Sequence, residues 1–306
     1  MKIYIVGSGG VGGYFGGKLA KTENSVTFLA RGKHLDQLRS KGLVVNAVDG
    51  SFKIKNPNVI SRISEIKDPD FIFFSVKTYD TKEVAQELSK VVREKTIIIT
   101  FQNGTENDDE IKKYISGCNI YPGLAYIIST KEKAGVINQT GGPRKIIFGD
   151  RDNKDNENLE EIASLMRKSG IDAVVSDDIT RDLWKKYVFI NAFSGMTAIC
   201  RTPIGKVLED DITSSLYERC VRESIEVAKK LRVNLPATIF EDAMTLSRNF
   251  EAASKSSLLV DIESGRKNEI ETLNGTLVRL AQKFDIDTPI NALIYGSIKL
   301  SSDVIQ

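Results

Sequence analysis

The residues best suited to chemistry begin at position 7. Gly7-Ser8-Gly9-Gly10-Val11-Gly12 reads G-x-G-x-x-G directly after the apolar run Ile3-Tyr4-Ile5-Val6. Glycines at that spacing suit a dinucleotide. The first permits a tight turn, the second lets backbone approach a pyrophosphate, and the third lets helix and strand pack closely. The phosphates would lie on unpaired N–H groups at the positive end of a helix. Gly7, Ser8, Gly9, Gly10, Val11 and Gly12 are therefore the expected cofactor-binding turn. The end of the next strand tells which cofactor. NAD-binding chains usually place Asp or Glu there to hold the ribose hydroxyls, but Leu29-Ala30-Arg31-Gly32 has no acid. Arg31 is suited to a 2′-phosphate through charge-assisted bonds, so NADP (as NADPH) is expected over NAD, and the chemistry leans toward reduction.

Ligands of an open α/β sheet bind beyond the carboxyl ends of its strands. Lys77 follows Phe73-Phe74-Ser75-Val76, and Asn103 follows Ile99-Thr100-Phe101-Gln102. Both could face a nicotinamide or an anionic substrate, or merely mark where the chain surfaces. Farther on, Leu183-Trp184-Lys185-Lys186 leads into the apolar run Tyr187-Val188-Phe189-Ile190. A lysine at such a transition can be half-buried, where desolvation lowers its pKa and eases proton donation, or it can snorkel to water. Ser257, Asp261 and Glu269 lie in a mixed polar and apolar stretch and read as site residues, caps or surface groups. The usual alternative acid, histidine, occurs once, as His34. It follows the Arg31 loop on the adenosine side, a poor place for chemistry at a nicotinamide. With one histidine and no Cys-x-x-Cys pair, no His-rich metal site is expected, and no Ser-His-Asp triad that does not run through His34.

These residues need a scaffold. Runs at Ile3–Val6, Val26–Leu29, Phe71–Val76 and Thr96–Thr100 read as strands, and helical spacing follows the glycines to about Lys21 and recurs at His34–Lys41 and Thr81–Val92. Asp49-Gly50 reads as a hairpin turn between Leu43–Val48 and Ser51–Ile54. Ile120–Ile128, Gly135–Gln139, Lys145–Phe148 and Ala173–Val175 read as further strands, with a helix over Glu157–Lys168. Beyond Asp178 only helical periodicity remains, over 179–200, 212–232, 236–253 and 269–284. The expected fold is α/β: a Rossmann-type doubly wound sheet over 1–177 and an all-helical domain over 178–306.

Length and composition agree. A chain of 306 residues suggests about two domains, and 41% hydrophobic with 27% charged residues is the balance of a folded protein with a sizeable core. The formal charge of +2 provides no global field for nucleic acid or an anionic membrane. No apolar run reaches the roughly 18 residues of a membrane span, no signal peptide is read, and three cysteines without a framework fit a reducing compartment. A cytoplasmic protein is expected. The helical periodicity admits a homodimer as readily as an intramolecular core.

Taken in order, several blocks resemble the 2-dehydropantoate 2-reductase (ketopantoate reductase) family over nearly the full length: Gly7 to Gly12, Ser75-Val76-Lys77-Thr78, Gln102-Asn103-Gly104, Leu183-Trp184-Lys185-Lys186, and Ser256 to Ile262 followed by Asn268-Glu269-Ile270 and Leu273-Asn274-Gly275. Thr288-Pro289-Ile290-Asn291 also matches. The resemblance implies a C-terminal domain like that of 6-phosphogluconate dehydrogenase, and hydride transfer from NADPH to the ketone of 2-dehydropantoate, giving pantoate for pantothenate and coenzyme A synthesis. It implies Lys186 as general acid and Glu269 as the residue that holds that lysine and contacts cofactor. Ser257 would bind substrate, Asn103 would position cofactor and substrate, and Lys77 and Arg31 would contact cofactor. The chain departs from the pattern where family members carry substrate-binding asparagines four and eight residues after the lysine. Here Ile190 and Ser194 occupy those places, with Asn191 one place off, so Ser194 and Asn191 are the substituting candidates. A different branched 2-oxo acid is the rival substrate, and an NADPH-sensing regulator without turnover is the rival from another class.

Overall fold

The structure, a computed structural model, describes residues 1–303. The chain divides into two units, Met1–Gln102 with Glu106–Ile179, and Asn103–Thr105 with the chain from Thr180 onward.

The first unit runs β1 Lys2–Val6, α1 Gly10–Leu19, β2 Ser25–Leu29, α2 Gly32–Lys41, β3 Leu43–Ala47, β4 Phe52–Ile54, β5 Asn58–Ile60, β6 Phe71–Phe74, α3 Thr81–Leu88 and β7 Ile97–Thr100. It continues with α4 Asn107–Lys112, β8 Asn119–Lys133, β9 Val136–Phe148, α5 Glu157–Lys168 and β10 Asp172–Val175. The strands form one sheet ordered β4-β3-β9-β8-β7-β6-β1-β2-β5, with β10 beside β9. From β5 to β8 every pairing is parallel, whereas β8–β9 and β3–β4 are antiparallel hairpins. Alternate side chains of a strand point to opposite faces, which explains the nearly continuous apolar strands. Ile3, Ile5, Phe71, Phe73 and Ile99 pack on one face with Phe15, Leu38 and Ile162 of α1, α2 and α5. Val6, Ile72, Phe74 and Ile98 pack on the other with Val84 and Leu88 of α3 and Ile111 of α4. The chain thus has the mixed, Rossmann-like sheet with helices on both faces.

Two expected strands, Gly135–Gln139 and Lys145–Phe148, are the ends of one long β9. Gly141-Gly142-Pro143 lies between them, and register shifts against β8 accommodate it without ending the ladder. Strand β5 and helix α4 carry too few residues to show a period.

The second unit is helical: α6 Ile179–Cys200, α7 Ile204–Glu209, α8 Asp211–Lys230, α9 Ile239–Arg248, α10 Ser257–Glu263, α11 Asn274–Lys283 and α12 Pro289–Asp303. Its core gathers Trp184, Tyr187, Val188, Tyr217, Val221, Leu258, Leu277 and Ile294. Helix α6 runs through the middle of it and buries nearly all sides from Leu183 to Ala198. The expected helix over 269–284 begins only at Asn274. Residues 269–273 are a tight turn instead: the Glu269 carbonyl accepts from Thr272 and Leu273, and Asn268 Oδ1 accepts from the Ile270 N–H, local bonds that compete with helix. Among the described residues no helix is long and apolar enough to cross a membrane, and no group of three or more His, Cys, Asp or Glu could hold a metal.

Candidate functional site

In the first unit the glycine-rich turn joins β1 to α1. Three of its glycines are demanded by the protein's own packing. Gly7 has φ +105°, and a Cβ there would stand 2.4 Å from the Ser75 backbone. A Cβ on Gly12 would lie 2.1 Å from the Gly7 carbonyl oxygen, and one on Gly10 2.2 Å from that of Ser129. Gly9 differs, since a Cβ there would meet nothing within 4 Å. The space left open at the second glycine of the motif, at the N-terminus of a helix, fits a group brought in from outside, and a pyrophosphate is what such a helix end receives. Val11, half-buried, packs its side chain onto the core beneath.

The turn is clamped by side chains from four directions. Ser8 Oγ donates to the Leu29 carbonyl at 2.8 Å, and Ser75 Oγ donates to the Gly7 carbonyl at 2.9 Å. Ser129 Oγ donates to the Gly10 carbonyl at 2.9 Å. The fourth clamp is His34, whose ring nitrogen Nε2 lies 3.0 Å from the Ser8 carbonyl. Ser75, Ser129, Gln102 and His34 are positioning residues that the sequence does not mark as part of the site. Ser75 lies within a motif block, but Ser129 and His34 reach the turn from distant parts of the chain, and no local pattern signals them.

Arg31 stands exposed at the end of β2, and its Nη1 lies 3.9 Å from Glu83 Oε1. A pair so exposed holds the guanidinium weakly, leaving it able to turn toward an anion. Lys77 follows β6 and starts the short turn Thr78–Asp80. Gln102 fixes that stretch, donating from Nε2 to the Val76 carbonyl and to Thr81 Oγ1, each at 2.9 Å, while its Oε1 accepts from Thr100. One buried amide thus sets the course of the chain on both sides of Lys77 and immediately before Asn103.

Asn103 itself packs with the second unit. Its Oδ1 accepts a 2.7 Å hydrogen bond from Lys186 Nζ. Lys186 retains some accessible surface, yet it is surrounded by protein. Burial lowers its pKa from 10.5 to about 8, against the opposing pull of the Glu269 carboxylate. Tyr187, the next residue, is buried and donates to the Leu273 carbonyl at 2.7 Å, which ties α6 to the turn that carries Glu269. Lys186, Asn103 and Glu269 are therefore brought together: a buried ammonium hydrogen-bonded to an amide oxygen and within electrostatic reach of a carboxylate.

The remaining candidates lie along α6 and α10. Ser257 is exposed at the start of α10, where Ser256 beside it caps the helix by accepting from the Leu259 N–H and bonds Thr197 of α6 at 2.7 Å. Ile190 and Ser194 follow Lys186 along the same helical face. Ile190 is half-buried, whereas Ser194 is buried and its Oγ has no hydrogen-bond partner among the described residues. Asn191 has 0% of its surface exposed. Its Nδ2 donates to Asn291 at 2.6 Å and Ser224 at 3.2 Å, so it binds α6 to α12 and α8. In this structure Asn191 is a core residue.

The family profile "Ketopantoate reductase PanE/ApbA" matches residues 3–153, and the corresponding C-terminal profile matches residues 178–301. Among relatives, the uncharacterized oxidoreductase YkpB of Bacillus subtilis is 28% identical over 98% of each chain. The crystal structure of 2-dehydropantoate 2-reductase from Geobacter metallireducens is 25% identical, covers 98% of this chain and 100% of its own, and superimposes with a TM-score of 0.92. A ternary structure of D-mandelate dehydrogenase with NADH and anilino(oxo)acetate shares the fold at 22% identity, covering 100% and 99% of the two chains with a TM-score of 0.88. The chain belongs to the ketopantoate reductase family of oxidoreductases.

Proposed function

We propose that this protein reduces the ketone of a branched 2-oxo acid with NADPH, with 2-dehydropantoate as the substrate and pantoate as the product. The observation that carries this reading is Lys186. It is buried enough to hold its proton loosely and is aimed by Asn103 at 2.7 Å. The turn at Gly9 would hold NADPH, which would supply the hydride. Negative charge then grows on the ketone oxygen, where the Lys186 ammonium stabilises it and delivers the proton to the resulting alkoxide. Glu269 keeps the lysine charged until that moment. Lys77 and Arg31 add positive charge at strand ends, Arg31 toward the 2′-phosphate. Ser257 provides an exposed hydroxyl for the substrate, and Ser194 a further candidate partner.

Ile190 favours attention to a second substrate. An apolar side chain four residues after Lys186 cannot hydrogen-bond a substrate hydroxyl, and it suits 2-oxo acids with a larger apolar group. The D-mandelate dehydrogenase neighbour, solved with anilino(oxo)acetate and NADH, shows this fold with such a ligand. The test follows NADPH oxidation with 2-dehydropantoate and with a panel of branched and aromatic 2-oxo acids. The highest kcat/KM is expected for 2-dehydropantoate, with NADPH preferred to NADH and that preference lost in Arg31→Ala. A higher value for an aromatic acid would assign the second substrate. Tight NADPH binding without turnover of any acid would make the protein a sensor.

A further inference from the structure

We infer that His34 is a positioning residue of the dinucleotide site: its neutral imidazole, protonated on Nε2, holds the Ser8–Gly9 peptide in the orientation that presents the Gly9 N–H to a phosphate. The inference rests on the dinucleotide reading of the glycine-rich turn and adds to it a residue that no motif contains.

The tautomer follows from the two bonds of the ring. The Gly135 N–H donates to Nδ1 at 2.9 Å, so Nδ1 carries no proton. The proton of the neutral ring is then on Nε2, which donates to the Ser8 carbonyl at 3.0 Å. Both ring nitrogens are satisfied, and the side chain is 7% exposed. Gly135 is the turn of the β8–β9 hairpin, and its own carbonyl accepts from Val44 of β3 at 2.9 Å. One end of the strut is therefore fixed to the sheet.

The other end acts on a planar unit. In a trans peptide the carbonyl and the following N–H point in opposite directions. Anchoring the Ser8 carbonyl on His34 therefore fixes the Gly9 N–H in the opposite direction, at a residue whose Cβ position is open. The turn needs an external anchor because glycine, which makes room for the ligand, also lets the peptide rotate. Ser75 and Ser129 restrain the carbonyls of Gly7 and Gly10; His34 is the restraint on the peptide between them.

The experiment measures NADPH affinity by fluorescence titration, together with kcat at saturating cofactor, in three variants. Gln can place an amide N–H where Nε2–H was, Asn can place an oxygen where Nδ1 was, and Leu can do neither. His34→Leu and His34→Asn should weaken NADPH binding about tenfold, the order of one buried hydrogen bond. His34→Gln should stay within about twofold of the parent, and kcat should hold in all three. Leu binding as tightly as the parent, or rescue by Asn instead of Gln, overturns the inference. The parent chain offers a measurement that does not depend on the variants folding. Its single histidine gives one pair of imidazole 15N resonances. They should report the Nε2–H tautomer and shift when NADPH is added; an Nδ1–H tautomer, or no shift on binding, also overturns it. Failure of the parent to bind NADPH at all would instead sink the dinucleotide reading.

Discussion

A lysine serves as general acid when it is charged at working pH and still gives up its proton readily. Lys186, with its pKa lowered to about 8 by burial, meets both conditions near neutrality. Reduction needs the ammonium, so kcat/KM should be level below about pH 8 and fall tenfold per unit above it, the limb that a pH–rate profile reads. Lys186→Ala should lose about 10²–10⁴ in kcat with NADPH affinity kept, and a loss under tenfold would mean another group is the donor. The same burial has a thermodynamic face. The folded-state pKa lies below the unfolded 10.5, so the folded chain binds fewer protons between about pH 8 and 10.5, and stability rises with pH across that window. At pH 7 the full desolvation cost is present, so Lys186→Met should raise Tm while abolishing turnover.

The glycine-rich element separates two demands that one motif combines. Gly12→Ala would drive a methyl to 2.1 Å from the Gly7 carbonyl oxygen and 2.5 Å from Ser75 Oγ, so it should lower Tm sharply. Gly9→Ala places its methyl in open space at an ordinary φ of −77°. It should leave Tm within a few degrees and yet weaken NADPH binding at least tenfold, and equal effects of the two variants on Tm would contradict this division. The motif was legible in sequence because strand, turn and helix are adjacent in the chain. Helices α5 and α6 were legible for the same reason, with long local periods closed by polar residues. What was not legible acts across distance. Ser75 reaches the turn over 68 residues, Ser129 over 119, and His34 spans 26 residues to Ser8 and 101 to Gly135. Helices α7 and α10, of six and seven residues, are too short to show a period. The turn that carries Glu269 replaces the start of an expected helix because Asn268 bonds it locally and Tyr187, 86 residues before Leu273, holds its far end.

At the scale of the whole chain, the net charge of +2 leaves recognition to a few placed cations, and the apolar cores are confined unit by unit. Two clusters fill the faces of the sheet in the first unit, and one fills the helical unit. A ligand stabilises what it binds through mass action, about 2.7 kcal/mol at a hundred times its Kd. For a unit of some 180 residues that is roughly 5–10 °C in Tm. The cofactor contacts proposed in the first unit all sit on the turn at Gly9, Arg31 and Lys77. NADPH should therefore slow hydrogen exchange in β1, α1, β2 and β6 by that factor in free energy, with a smaller effect on α8 and α11 of the helical core. NADH at the same concentration should protect less, since it offers Arg31 no 2′-phosphate. Hydrogen-exchange mass spectrometry of the intact chain reads both. Protection confined to the helical unit would show the dinucleotide turn to be structural, whatever its glycines resemble.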